Sequence, residues 1–188
     1  MNNIVDLVES QLIISIKDPA SIEKATQSNS NVVFLLTGDL LSAKDLIKPL
    51  QEANKHVFIH LDFIDGISNS KSAIKFIAKE WKPCGIITTK ASLVKLAKEE
   101  GLMTIQRIFL LDRGALNKGI EMVQSCKPDA VEVLPGLMPK IIYDLTERIE
   151  LPLIVGGLIQ DKEDCLQALQ AGALAVSVGN PELWDIEL

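Results

Sequence analysis

The feature that most constrains this chain is an alternation repeated eight times. Short apolar runs rich in β-branched residues alternate with longer amphipathic stretches. The runs fall at residues 12–16, 32–36, 57–61, 85–89, 103–110, 130–134, 153–155 and 174–178. They are apolar on both faces, the pattern of parallel strands covered by helices. Strand–helix alternation implies βαβ units. Right-handed crossovers then leave an open doubly wound sheet or a closed barrel. Eight units with no antiparallel interruption favour a compact (β/α)8, TIM-barrel-like α/β fold.

The stretches between the runs carry helix signals. Ser42 opens one that continues through Leu46, Ile47 and Leu50. Residues 68–79 place Ile74, Ile77 and Ala78 at helical spacing, with Lys71, Lys75 and Lys79 opposite. Residues 92–100 run into Gly101, a helix-stop signal, and residues 161–170 run into Ala171-Gly172. Pro139 suits a first turn. Residues 2–10 precede the first strand and read as a small helix plugging the barrel bottom.

All this is packed into 188 residues, 47% of them hydrophobic. A barrel of this kind typically needs ~250 residues, so short loops and stunted helices are expected. No linker or low-complexity stretch appears, and residues 1–188 read as one domain. The net charge of −6 disfavours a generic electrostatic nucleic-acid binder, and an aromatic content of 4% leaves few stacking platforms. Three widely spaced cysteines and two histidines fit neither a disulfide framework nor a zinc site, so no metal or cofactor is expected. The first ten residues lack the basic stretch of a secretory leader, and no uncharged apolar run approaches ~20 residues. The expectation is a cytoplasmic protein without a membrane span.

In such a barrel the ligand site forms at the C-terminal ends of the strands. The strongest local feature there is Val155-Gly-Gly-Leu-Ile-Gln-Asp, followed after the last strand by Ser177-Val-Gly-Asn-Pro. Gly156, Gly157, Gly179 and Asn180 either bind a phosphate with backbone N–H groups or make tight turns. Lys90 and Arg107 either meet an anionic ligand or pair with Glu132 and Asp62. His60 and Asp62 share a strand face by alternation, as an acid–base pair or as part of a hydrogen-bonded interior. Lys71, Lys75, Lys79 and Lys82 form a stripe at helical spacing, either a solvated face or a place for RNA backbone contacts. Cys126 and Cys165 fall in helical stretches and read as core residues. Asp161, Glu163 and Asp164 suit a helix dipole rather than a metal.

These motifs resemble the glycerol uptake operon antiterminator regulatory proteins of bacteria. The matching stretches begin at Val33-Phe-Leu-Leu-Thr-Gly-Asp-Leu and His60-Leu-Asp-Phe-Ile-Asp-Gly. They continue with Cys84-Gly-Ile-Ile-Thr-Thr-Lys and Ile105-Gln-Arg-Ile-Phe-Leu-Leu-Asp. Val131-Glu-Val-Leu-Pro-Gly-Leu-Met-Pro-Lys, Leu153-Ile-Val-Gly-Gly-Leu-Ile and Ala175-Val-Ser-Val-Gly-Asn-Pro-Glu-Leu-Trp complete the series in order. The resemblance implies a regulator rather than an enzyme. It would respond to glycerol 3-phosphate, act on the leader mRNA of glycerol-utilisation genes and let transcription pass a terminator.

On that reading glycerol 3-phosphate docks in the barrel mouth. Gly156, Gly157, Gly179 and Asn180 supply phosphate donors, and Lys90 and Arg107 balance charge. Asp62, Glu132 and Thr37, with His60 in support, hold hydroxyls or the cations. Binding then favours a surface or homo-oligomer competent for RNA. The alternative is a small barrel isomerase, aldolase or lyase acting on a phosphorylated substrate, with Lys90 or the His60/Asp62 pair as its reactive groups. A third reading is a metabolite sensor with a protein partner.

Overall fold

The computed structural model describes residues 3–188. Eight parallel strands close into a barrel in sequence order: β1 (Leu12–Ile16), β2 (Val32–Leu35), β3 (His56–His60), β4 (Gly85–Thr88), β5 (Met103–Phe109), β6 (Ala130–Leu134), β7 (Leu153–Gly156) and β8 (Ala175–Val178). β8 closes the ring on β1, with Ile13 opposite Ser177. The apolar runs thus become the strands, and their ends shift by at most one residue. Leu61, read as strand, instead begins a 3-10 turn, Leu61–Phe63.

The short chain is accommodated by trimming helices. α1 (Ile4–Leu7) precedes the barrel, and α2 (Ile22–Gln27) has only six residues. α3 (Ala43–Glu52), α4 (Lys71–Phe76), α5 (Ala91–Glu99), α6 (Arg113–Cys126), α7 (Pro139–Arg148) and α8 (Lys162–Gln170) follow β2 to β7 in turn. β8 is followed by a 3-10 turn, Pro181–Leu183, and then by Trp184, which is buried and donates its indole N–H to the Val178 carbonyl at 3.0 Å.

Local signals act largely as expected. Pro139 opens α7, and Gly101 (φ 78°) and Gly172 (φ 101°) take left-handed turns just past α5 and α8. One signal is served differently. Ser42 stands at the start of α3 but makes no cap there, and Asp39 instead accepts from the N–H groups of Leu41 and Ser42, both at 2.8 Å. Residues 68–79 do not form one helix. α4 widens into a π-helix, Ile77–Trp81, which buries both Ile77 and Trp81.

Outward strand residues pack under the helices in two clusters, one under α2–α5 and one under α6–α8. The barrel's lower interior is a third cluster: Ile13, Val32, Phe34, Phe58, Ile87, Ile105, Ala130, Ile154 and Ala175, closed from below by Ile4 and Leu7 of α1. The expected plug is therefore present, with its helix confined to Ile4–Leu7; residue 2 lies outside the described residues. Gly85 makes room for the Phe58 ring, since a Cβ there would lie 2.6 Å from it. Burying Ile4 and Leu7 stabilises by roughly 1.5–3 kcal/mol each.

Candidate functional site

Period two carries the strand faces upward from that apolar floor. Two residues beyond Ile13, Phe34, Phe58, Ile87, Ile105, Ala130, Ile154 and Ala175 come Ser15, Leu36, His60, Thr89, Arg107, Glu132, Gly156 and Ser177. The ring at the C-terminal end of the barrel is therefore mostly polar. Glu132 is fully buried within it and accepts from Arg107 Nε at 2.6 Å and from Ser177 Oγ at 2.7 Å. Both expected partners of Arg107 and Lys90 are confirmed: Arg107 pairs with Glu132, and Lys90 Nζ lies 3.2 Å from Asp62 Oδ1. Only Nε of Arg107 finds a protein partner among the described residues, so its two terminal nitrogens are free to bond a ligand. The residue at Gly156 is set by this network. A Cβ there would lie 2.0 Å from Ser177 Oγ.

The β3–β4 side is organised around Asp62. Its Oδ2 accepts from Thr88 Oγ1 (3.1 Å), Thr89 N–H (2.8 Å) and Thr89 Oγ1 (3.2 Å). Burial works to raise the Asp62 carboxyl, but these bonds, Lys90 and His60 outweigh it and hold it below the ordinary carboxylate value. Lys90 also donates to Asn69 Oδ1 at 3.1 Å. His60 does not sit in the hydrogen-bonded interior expected of it. Both ring nitrogens are buried without a hydrogen-bond partner, and Asp62 Oδ2 stands 3.7 Å from Nδ1, beyond bonding range. Burial, then the Arg107 charge, push its pKa from 6.5 down to about 3, so the ring is neutral at physiological pH.

The glycine loops meet at the β7–β8 edge, where Gly156 pairs with Ser177. Gly157 (φ 76°) and Leu158 (φ 63°) both hold left-handed backbone, and Leu158 is exposed. A leucine so placed is strained, and such strain concentrates at functional loops. The α8 N-terminus is already satisfied: Asp161 accepts from Asp164 N–H at 2.9 Å, and Asp164 accepts from Gln160 N–H at 2.8 Å. Any phosphate bound here would meet the loops rather than α8, and the helix-opening role read for Asp161 and Asp164 is borne out. Asn180 uses its side-chain oxygen to cap the Pro181–Leu183 turn, leaving its amide group. Thr37 is half-buried just past β2, beside the Asp39–Asp65 bridge that ties the β2 and β3 loops.

One cation at a strand end drew no role from the sequence. Lys17, just past β1, sets its Cε and Nζ 3.2 and 3.3 Å from where a Gly179 side chain would begin. No ion pair is found for it among the described residues. Lys90 and Arg107 each face a carboxylate, whereas Lys17 brings an unpaired positive charge to the β1–β8 seam. Its position just past a strand end was the available signal. Sequence reading also missed an apolar rim. Leu40, Leu41, Phe63, Phe109, Leu111, Leu137 and Leu158 are all exposed at the C-terminal ends of strands or in the loops that follow.

Other candidates lie elsewhere. Lys71 is bound to Glu99 at 2.6 Å, and the π-helix takes Lys79 and Lys82 out of register with Lys71 and Lys75, although all four are exposed. Burial pushes the Cys84 and Cys165 thiols up to about 11 and raises Cys126, so none is a ready nucleophile. A concavity of about 830 Å³ at the opposite end of the barrel is lined by Glu9, Asn31, Lys55, His56 and Lys82 among others. Its polar groups serve the fold: Lys55 donates to the Ser28 and Ser30 carbonyls, and Gln51 to the Lys82 carbonyl. Among the described residues the buried side-chain polar atoms without a hydrogen-bond partner, both on His60, face the mouth, which makes the mouth the better candidate.

Residues 12–184 match the family model of the glycerol-3-phosphate responsive antiterminators. The chain belongs to that family. It is 37% identical over 180 residues to YgcP of Escherichia coli K12, described as uncharacterized, covering 96% of this chain and 94% of that one. It is 34% identical to the glycerol uptake operon antiterminator regulatory protein of Listeria monocytogenes, with a TM-score of 0.89 and coverage of 94% and 96%. A glycerol uptake operon antiterminator-related protein of Thermotoga maritima is 33% identical, with a TM-score of 0.81 and coverage of 92% and 96%. Barrel enzymes also superpose, for example at 17% identity and a TM-score of 0.70; these show the fold alone. Among the described residues of this antiterminator-family chain, no helix is long and apolar enough to cross a membrane.

Proposed function

We propose that this chain is a glycerol 3-phosphate-gated antiterminator acting on leader mRNA in the cytoplasm. Family membership supports the regulatory class. The observation that carries the ligand site is the polar ring above an apolar floor, in which Arg107 keeps two free nitrogens and Lys17 stands unpaired over Gly179. Backbone N–H groups of Gly157, Gly179 and Asn180 complete the phosphate cradle, and Gly156 keeps the space that Ser177 needs. Asp62 and Glu132 orient the cations, and Thr37 and His60 face the polyol. Lys75, Lys79 and Lys82 are the RNA-contact candidates, since Lys71 is committed to Glu99. Ligand binding favours an RNA-competent surface or homo-oligomer, which requires different ligand affinities in the two states.

The enzyme alternative has less support. Lys90 is ion-paired and 45% exposed, unlike a Schiff-base lysine in an apolar pocket. His60, neutral down to about pH 3, is a poor base.

The test is thermal stability against glycerol 3-phosphate, glycerol, inorganic phosphate and dihydroxyacetone phosphate, followed by a leader-RNA mobility shift. Ligand at about 100 times its Kd adds roughly 2.7 kcal/mol. A stabilisation selective for glycerol 3-phosphate, with RNA binding that depends on it, supports the reading. Turnover of a phosphorylated substrate that is lost in Lys90→Ala would replace it with the enzyme.

A further inference from the structure

His60 is the one side chain among the described residues whose buried polar atoms lack a protein partner. Its ring is 1% exposed and faces the inside of the barrel one layer above Phe58. A buried polar atom left unpaired is costly, and native structures rarely keep two on one ring without a use.

The surroundings fix which nitrogen carries the proton. The Asp62 carboxylate stands 3.7 Å from Nδ1, too far for a hydrogen bond but near enough for its field to hold the proton there. Burial, and after it the Arg107 charge, keeps the same ring from taking a second proton. Nε2 is then a bare lone pair, an acceptor with no donor. What it lacks is an O–H or N–H, and a carbonyl cannot supply one. Phe63 packs against the imidazole, with ring centroids 4.5 Å apart, and is itself 50% exposed on the Leu61–Phe63 turn.

We propose that His60 is a specificity-determining residue. Its Nε2 accepts a hydrogen bond from a hydroxyl of the phosphorylated polyol in the mouth, so the site takes an alcohol and rejects a ketone at that carbon. This rests on the mouth being the glycerol 3-phosphate site.

The experiment is calorimetric titration of the full chain and of H60L and H60Q with glycerol 3-phosphate, dihydroxyacetone phosphate and inorganic phosphate. Wild type should favour glycerol 3-phosphate over the ketone by about tenfold or more, the scale of one buried hydrogen bond. In H60L that preference should collapse to within about twofold, with inorganic phosphate bound as in wild type. H60Q offers a side-chain carbonyl as acceptor and should restore part of it. H60L should melt no lower than wild type, because it removes unpaired polar atoms. H60F carries the same expectation if H60L does not fold. If H60L keeps the wild-type ratio, or if wild type binds alcohol and ketone equally, the role of His60 is overturned and the ligand reading stands. If wild type binds none of the three compounds, the ligand reading falls and this inference falls with it.

Discussion

The two ends of the barrel interior are built from the same strands by opposite rules. Below, Phe34, Phe58, Ile87, Ile105 and Ile154 fill the space, and Ile4 and Leu7 seal it. Two residues higher, the same strands present His60, Thr89, Arg107, Glu132 and Ser177, with Gly156 left small for the Ser177 hydroxyl. The lower end gains stability by area and packing of apolar side chains. The upper end carries a buried ion pair, which by itself adds little net stability. It also leaves His60 and part of Arg107 unbonded. Close apolar packing fills one end, and the unbonded buried polar atoms lie at the other.

The largest expected effects set the two ends against each other. Phe58→Ala should cost about 3–5 kcal/mol by leaving a cavity, and Glu132→Ala about 3–5 kcal/mol by stranding the Arg107 charge. Urea denaturation should find both. Titration of glycerol 3-phosphate into whatever folded fraction remains should find ligand affinity lost only in Glu132→Ala. Equal loss in both would erase the contrast.

Next comes pH. His60 has a folded value of about 3 against 6.5 unfolded, so the unfolded chain takes up a proton that the folded chain refuses. Its contribution is fully present above about pH 6.5 and is lost as pH falls toward 3, by roughly 1 kcal/mol per pH unit. Between about pH 6.5 and 5, before carboxylates titrate, stability should fall in wild type and stay flat in H60L, as denaturation curves at several pH values would show. A slope unchanged in H60L would place the proton uptake elsewhere.

Ser177→Ala should cost about 1–3 kcal/mol, since Glu132 Oε1 loses its donor. The smallest effect belongs to the lower end. Asn3 caps α1 by accepting from Val5 N–H, and Asn3→Ala should cost about 1 kcal/mol or less, seen as a small drop in Tm with ligand affinity unchanged.

The contrast between the ends also explains what was readable beforehand. The strands were legible because each is apolar on both faces, and the helix stops because Gly101 and Gly172 need left-handed backbone. Gly156, Arg107, Glu132 and Asp62 were found by standing at strand ends. Lys17 was not singled out, because its value depends on Gly179 across the β1–β8 seam and on having no partner. The lysine stripe was read on a uniform helical pitch, and the π-helix at Ile77–Trp81, which seats Trp81 in the core, broke it. The seven-residue apolar rim is scattered from Leu40 to Leu158 and comes together only when the strands close.

The sequence by itself determined the strand–helix alternation, the closed parallel barrel, the N-terminal plug and the strand ends that carry polar residues. Those are local properties, set by periodicity, turn residues and β-branched runs along the chain. Tertiary structure alone decided which cation is paired and which is free, why Gly156 must lack a side chain, and that His60 is buried without a partner. These depend on distances between strands far apart in sequence, such as Glu132 and Ser177, which only closure of the ring brings together.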